Sequence, residues 1–195
     1  MLIMRFYYEK MAFEVPESIY YPAEDSLLLA KAVEKLKLKN KTVLEIGCGC
    51  GFLSILCAKK GAAVTSVDIN PEAVKVTKEN ANANKTTLNA VESDLFSKVS
   101  GTFDLIIFNA PYLPVEEGET DITYAGGATG REVIEKFVKN VKNHLKPGGG
   151  VLLLISSLTG EKEVIDLFIK HGMRVKAVAR EKIEWEELIV LGVRI

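Results

Sequence analysis

Asn109-Ala110-Pro111-Tyr112 is the stretch of this chain best suited to hold a planar nitrogen. A carboxamide or exocyclic base amine is a poor nucleophile because its lone pair is delocalised. The Asn109 side-chain oxygen and the Ala110 carbonyl can each accept one N–H bond. Together they would fix such a nitrogen and favour the charge it gains as it attacks a methyl group. Pro111 would hold the turn and Tyr112 would stack on the flat group. This chemistry needs no metal, histidine or nucleophilic side chain, which suits a chain whose only histidines are His144 and His171. Asn and Pro are also ordinary turn formers, so the tetrapeptide takes its meaning from its surroundings.

A second set of residues supplies those surroundings. Glu45-Ile46-Gly47-Cys48-Gly49-Cys50-Gly51 sits where an apolar strand gives way to a helix, and glycines there let the backbone approach a ligand without side-chain interference. A dinucleotide fingerprint would place a small residue at position 52, where this chain has Phe52, so a pyrophosphate at the helix N-terminus is disfavoured. Asp68 ends the next strand about twenty positions after Gly47, the place from which a carboxylate reaches both ribose hydroxyls. Asp94 follows the third strand and could meet an adenine amino group. Glu45 suits a cationic sulfonium and would repel a pyrophosphate. The cofactor these features imply is S-adenosyl-L-methionine.

The elements that must position these groups alternate between β-branched apolar runs and helical-period segments, the pattern of parallel strands joined by crossover helices. Strands are expected over Thr42–Ile46, Ala63–Asp68, Thr86–Glu92, Phe103–Asn109 and Val151–Ile155. Helices are expected from about Phe52 to Lys60, from Pro71 to Ala83, from Arg131 to Leu145 and from Glu161 to His171, with Pro71 suited to a first helical turn. Met173–Ala179 and Glu187–Val193 read as a closing antiparallel hairpin, with Trp185 packed at its start. Near the N-terminus, Arg5–Val15 reads as one loosely alternating strand and Asp25–Leu36 as a helix. Ser18–Pro22 reads as an aromatic turn, either a lid or a packed loop. The turn-rich stretch from Ala110 to Thr129 is long enough to suggest a functional loop.

Composition bounds the reading. The chain has 195 residues, 48% hydrophobic and 26% charged, with 25 basic against 26 acidic side chains. One domain over 1–195 is expected, with 1–40 a lead-in segment and helix and 41–195 the catalytic core. Near neutrality argues against a domain that grips nucleic acid mainly by neutralising phosphates. No apolar run has the length of a membrane span, and the N-terminal residues form no signal-peptide core. Cys48, Cys50 and Cys57 are too few and too clustered for a disulfide framework, and they lack the further ligands a structural metal site needs. A cytoplasmic protein without a bound metal is expected.

These motifs together resemble the HemK-type class I S-adenosylmethionine-dependent methyltransferases, which methylate the glutamine amide nitrogen in the Gly-Gly-Gln motif of translation release factors. Ile19-Tyr20-Tyr21-Pro22-Ala23-Glu24-Asp25-Ser26 looks like the family's Tyr-x-Pro-x-Glu-Asp-Ser/Thr segment, and Val43–Gly51 looks like its cofactor loop. Asp68-Ile69-Asn70-Pro71 resembles its ribose-binding turn, and Asn109–Tyr112 its Asn-Pro-Pro-Tyr motif with Ala110 in place of the first proline. Tyr124–Gly127 with Gly130-Arg131-Glu132 is similar to the segment before its fourth crossover helix.

The resemblance implies a Rossmann-like α/β fold with a seven-stranded, mostly parallel sheet in the order 3-2-1-4-5-7-6, strand 7 antiparallel and helices on both faces. It implies that Tyr20, Pro22, Ser26, Glu45, Gly47, Gly49, Gly51, Asp68, Ile69, Asp94, Leu95 and Asn109 line the cofactor, and that Asn109, Ala110, Pro111 and Tyr112 hold the substrate amide. The short form without an N-terminal helical domain resembles the archaeal and eukaryotic branch. Members of that branch commonly work with a small zinc-binding activator subunit, whose expected place here is the edge strand Thr86–Glu92. A DNA or RNA amino-methyltransferase would use the same Asn-x-Pro-Tyr geometry on an extruded base. A non-catalytic cofactor-binding scaffold, marked by Ala110, is a third reading.

Overall fold

A computed structural model describes residues 2–111 and 131–195, which fall into two compact units, 1–100 and 101–195. In the first unit, β1 (Ile3–Tyr8) and β2 (Met11–Pro16) form an antiparallel hairpin. They are followed by α1 (Glu24–Glu34), β3 (Thr42–Ile46), α2 (Phe52–Lys59), β4 (Ala63–Asp68), α3 (Pro71–Ala83) and β5 (Asn89–Glu92). β3 pairs with β4 and β4 with β5, both in parallel. Pro71 opens α3 at its first turn, and the Asn70 side chain caps it by accepting from the Glu72 N–H at 2.9 Å.

The second unit runs β6 (Phe103–Asn109), α4 (Glu132–Val141), β7 (Leu145–Ser156), α5 (Glu161–Lys170), β8 (Arg174–Lys182) and β9 (Glu187–Arg194). β6 and β7 are parallel, whereas β9 is antiparallel to both β7 and β8. The seven strands of the main sheet are ordered β5-β4-β3-β6-β7-β9-β8, the order the sequence resemblance implied. Leu153, Leu154 and Ile155 of β7 and Ile106 and Ile107 of β6 are fully buried, as expected of near-continuous apolar runs in the middle of a sheet. Among the described residues no helix is long and apolar enough to cross a membrane.

Several boundaries differ from the sequence expectation, each for a local reason. Arg5–Val15 is not one strand but two, because Glu9 adopts a left-handed conformation (φ 49°) and turns the chain back. Thr86 does not begin a strand. Its N–H and hydroxyl both bond the Ala81 carbonyl and close the end of α3, so β5 starts only at Asn89. The helix expected over Arg131–Leu145 ends at Val141, and Lys142–His144 tighten into a 3₁₀ turn. β7 begins six residues early, at Leu145. Its pairing with β6 jumps from Phe103–Leu145 to Leu105–Gly150, leaving Lys146–Gly149 as a bulge. Gly149 is obligatory there, since a Cβ would lie 2.8 Å from the Lys146 carbonyl oxygen. β8 runs on to Lys182, past the expected Ala179.

Candidate active site

The glycine loop belongs to the first unit. Gly47, Gly49 and Gly51 all have positive φ, at 68°, 52° and 84°, a run of left-handed backbone that side chains with a Cβ rarely adopt. Three groups hold it. The Gly49 N–H donates to Asp68 Oδ2 at 2.9 Å. The Thr77 hydroxyl donates to the Gly49 carbonyl at 3.1 Å, and Asn80 Nδ2 donates to the Cys50 carbonyl at 2.8 Å. A Cβ at Gly51 would sit 3.0 Å from the Thr77 side chain, whereas at Gly49 it would meet only Ile19, at 3.9 Å. The loop is thus pressed against α3 at one end and open at the other.

Asp68 is fixed on both oxygens, because Oδ1 accepts the Asn70 N–H at 2.9 Å while Oδ2 takes Gly49. Each oxygen keeps a lone pair for a further donor such as a ribose hydroxyl. Burial raises its pKa, opposed by these N–H bonds and that of Ile69. Ile69 itself is exposed. Glu45 is buried and accepts the Ser54 hydroxyl, which lies 2.5 Å from the Ser66 hydroxyl. Burial pushes Glu45 up to about 8, so the free protein carries it largely protonated at neutral pH. Burial likewise raises Cys48, Cys50 and Cys57, all free thiols, with Cys50 pushed up to about 12, which leaves them poor nucleophiles.

Asp94 is exposed just beyond β5, and Leu95 beside it has φ 45°. A left-handed leucine costs roughly 1 to 2 kcal/mol. Buried Ser93 holds it there: its N–H bonds the Asp68 carbonyl at 2.8 Å, and its hydroxyl donates to the Leu95 carbonyl at 3.1 Å. Backbone strain of this kind is common at ligand clamps. Tyr20 is half-buried, while Pro22 and Ser26 are buried. These residues follow the β1–β2 hairpin, which leans on the first residue of α2. Phe52 meets Phe6 and Tyr8 at 4.9 Å and Phe13 at 5.5 Å between ring centroids. The bulky Phe52 that departs from the dinucleotide fingerprint is therefore the anchor of the N-terminal segment.

α3 also secures the same hairpin. Asn80 Oδ1 accepts the Glu14 N–H at 2.9 Å and its Nδ2 donates to the Glu14 carbonyl at 2.9 Å. Asn84 repeats this two-point pairing on Ala12, at 3.2 and 2.8 Å. Thr77, Asn80, Asn84 and Ser93 were not singled out in the sequence. The signal was available in the run Glu79-Asn80-Ala81-Asn82-Ala83-Asn84, because asparagine is a weak helix former and its repetition in a helix asks for a tertiary reason.

In the second unit Asn109 ends β6, in register with Leu154 of β7, with Ala110 buried and Pro111 half-buried just beyond. The motif thus leaves the carboxyl end of a central strand, where ligands bind in open α/β sheets. Tyr112, Tyr124–Gly127 and Gly130 lie outside the described residues. Arg131 Nη1 donates to the Thr159 carbonyl at 2.7 Å, joining the start of α4 to the turn after β7. Trp185 is not packed at the hairpin start, as the sequence suggested, but 83% exposed.

A doubly wound sheet with a glycine loop after its first main strand, an acid after the second and Asn-x-Pro at the end of the fourth defines a Rossmann-like methyltransferase. Residues 24–183 match the methyltransferase small domain family, and the chain belongs to it. A Methanocaldococcus jannaschii protein, provisionally named protein N5-glutamine methyltransferase, is 48% identical over 190 residues, covering 94% of this chain and 95% of that one. The human methyltransferase HEMK2 is 32% identical, covering 89% of this chain and 88% of its own length. Among solved structures, the Encephalitozoon cuniculi Mtq2-Trm112 complex, described as methylating the eRF1 translation termination factor, is similar with a TM-score of 0.76 and 28% identity. The match covers 91% of this chain and 98% of that one.

Proposed function

We propose that this chain transfers a methyl group from S-adenosylmethionine to the side-chain amide nitrogen of glutamine in the Gly-Gly-Gln motif of a translation release factor. The observation that carries the reading is the Asn109-Ala110-Pro111 segment leaving the end of β6, in a chain 48% identical to a protein named for glutamine N5-methylation. The first unit fits the cofactor: an open glycine loop, an aspartate pinned on both oxygens with lone pairs to spare, and a strained Leu95 beside Asp94.

When bound, S-adenosylmethionine would supply a methyl group from its positively charged sulfur, which takes back the S–C bonding pair and leaves as a neutral thioether. Asp68 would accept the two ribose hydroxyls, and Asp94, Leu95 and Ile69 would border the adenine. Gly47, Gly49 and Gly51 would leave room for the amino-acid portion, with Glu45, Tyr20, Pro22 and Ser26 around it. Asn109 Oδ1 and the Ala110 carbonyl would accept the two N–H bonds of the substrate amide and orient its nitrogen for attack. The lone pair that forms the new N–C bond is drawn from amide resonance, so these two acceptors stabilise the cationic nitrogen of the transition state. That nitrogen is then strongly acidic and gives its proton to water without a basic side chain. Pro111 and Tyr112 border the amide. Alanine at position 110 keeps the required carbonyl and gives up only the ring's restriction of the backbone.

The whole chain acts as one catalytic domain in the cytoplasm, and a small zinc-binding activator subunit pairs with β5, the terminal strand of the sheet order. This narrows the expected edge from Thr86–Glu92 to Asn89–Glu92. The test is incubation with labelled cofactor, a release factor and a pool of nucleic acid, followed by locating the label. Label on the glutamine supports the reading; label on nucleic acid alone overturns it.

A further inference from the structure

Trp185 is the sole tryptophan of the chain and, among the described residues, the most exposed large apolar side chain, at 83%, while Leu158 is 54% exposed. The two are brought together by the fold. Ile183–Glu186 form the turn between β8 and β9, closed by the Ile183 N–H on the Glu186 carbonyl at 2.9 Å. The next residue, Glu187, donates its N–H to the Ser157 hydroxyl at 3.0 Å, and Leu158 follows Ser157. Both apolar side chains therefore stand where β7 ends and β9 begins, the same edge from which Asn109 leaves β6.

The registers give the distance. Asn109 is level with Leu154 and Leu154 with Val190, two strand spacings or about 10 Å to the side. Trp185 lies five residues further along, at most about 17 Å beyond that level. Glu187, three residues along β9 from Val190, is already about 10 Å beyond that level, so Trp185 lies roughly 14 to 20 Å from Asn109, beyond contact with the reacting amide and within about six residues of extended polypeptide. Charge selects the occupant. Arg180 pairs with Glu161 and Glu187, and beside the tryptophan the turn exposes Glu184, whereas Glu186 keeps its Oε2 buried. An exposed carboxylate beside an exposed indole repels phosphates and attracts a basic segment of protein.

We infer that Trp185, with Leu158 and the exposed Glu184, is a docking surface for the protein substrate. It grips a basic segment with an apolar side chain about six residues from the methylated glutamine. The inference rests on the proposed function. Trp185 is a specificity residue for the substrate protein and takes no part in methyl transfer, so its loss changes substrate KM and leaves kcat alone.

The experiment measures methylation of an intact release factor and of a peptide spanning three residues on either side of the glutamine, using the wild-type chain and Trp185→Ala, Trp185→Phe and Leu158→Ala. The expected result for Trp185→Ala is a KM for the intact protein raised roughly tenfold or more, with kcat, cofactor affinity and peptide kinetics unchanged. Trp185→Phe restores most of the loss, and Leu158→Ala gives a smaller rise. Emission from Trp185 should shift to shorter wavelength on adding a tryptophan-free fragment of the release factor. Methylation of the intact protein with an unaltered KM in Trp185→Ala overturns the inference alone. Failure of the wild-type chain to methylate the release factor overturns the proposed function and the inference with it. A Trp185 shift produced by nucleic acid or by raising the concentration of the chain itself, and not by the fragment, also overturns it.

Discussion

The glycine loop and the end of β6 use opposite means. Around Gly47–Gly51 the backbone is held by Asp68, Thr77 and Asn80, each group engaged by another part of the first unit. At Asn109–Pro111 the chain offers one side-chain oxygen and one carbonyl at the end of a strand, with Trp185 and Leu158 exposed further along the same edge. On the proposed function the first region serves a small ligand of fixed shape. The second, among the described residues, offers Asn109 Oδ1 and the Ala110 carbonyl to an incoming substrate. A ligand of fixed shape gains from a preorganised socket because ordering costs are met during folding. A protein substrate brings its own structure and needs only a correctly aimed acceptor pair and an anchor.

That contrast predicts how substitutions divide. Asn109→Ala should lower kcat by about 10² to 10³, the range for losing one group that stabilises transition-state charge, while cofactor affinity by calorimetry is largely kept. Equal loss of affinity and rate would place Asn109 in the cofactor socket and blur the division. Asp68→Ala should act in the opposite sense, weakening cofactor binding on the order of 100-fold with little change in kcat at saturating cofactor. It removes both the proposed ribose acceptor and an anchor of the Gly49 N–H. Unchanged affinity would take Asp68 out of that role.

Asn80→Ala tests whether the socket is held as one piece. The side chain makes three hydrogen bonds, two to Glu14 and one to the Cys50 carbonyl. At about 1 kcal/mol each its removal should cost about 2 to 3 kcal/mol in chemical denaturation. The expected companion is faster amide exchange in both β2 and the glycine loop. Exchange rising in β2 alone would show that the loop does not depend on α3.

How much of this was legible in the sequence follows from the same contrast. The main strands, the glycine loop and the place of Asn109 could be read because apolar runs and glycines report backbone geometry directly. The β1–β2 hairpin could not, since its turn relies on a left-handed Glu9 rather than on glycine or asparagine. Its docking depends on Phe52, Asn80 and Asn84, which are distant in sequence from the strands they hold. Trp185 was misread as packed because composition gives a tryptophan's apolar area and not its side of the surface. Glu45 was identified by type and place, but its protonation depends on burial, which the sequence does not display.

Glu45 tests the socket through pH rather than through a lost contact. Its pKa in the folded chain is pushed up to about 8 by burial, against an ordinary value of 4.5. Below about pH 4.5 both folded and unfolded chains carry the proton, and the group has no effect on the balance. Between 4.5 and 8 the unfolded chain releases the proton and the folded chain keeps it, so stability falls as pH rises, by up to about 1.4 kcal/mol per unit. Above 8 both forms are ionised and the fall stops. Glu45→Gln keeps an acceptor for the Ser54 hydroxyl while removing the titration. Its denaturation free energy should therefore lack this component between pH 5 and 8, and exceed that of the wild-type chain at the upper end. An identical pH slope in the two proteins would mean that Glu45 is ionised in the folded state. The socket would then hold a negative charge ready for a cationic ligand before any ligand arrives.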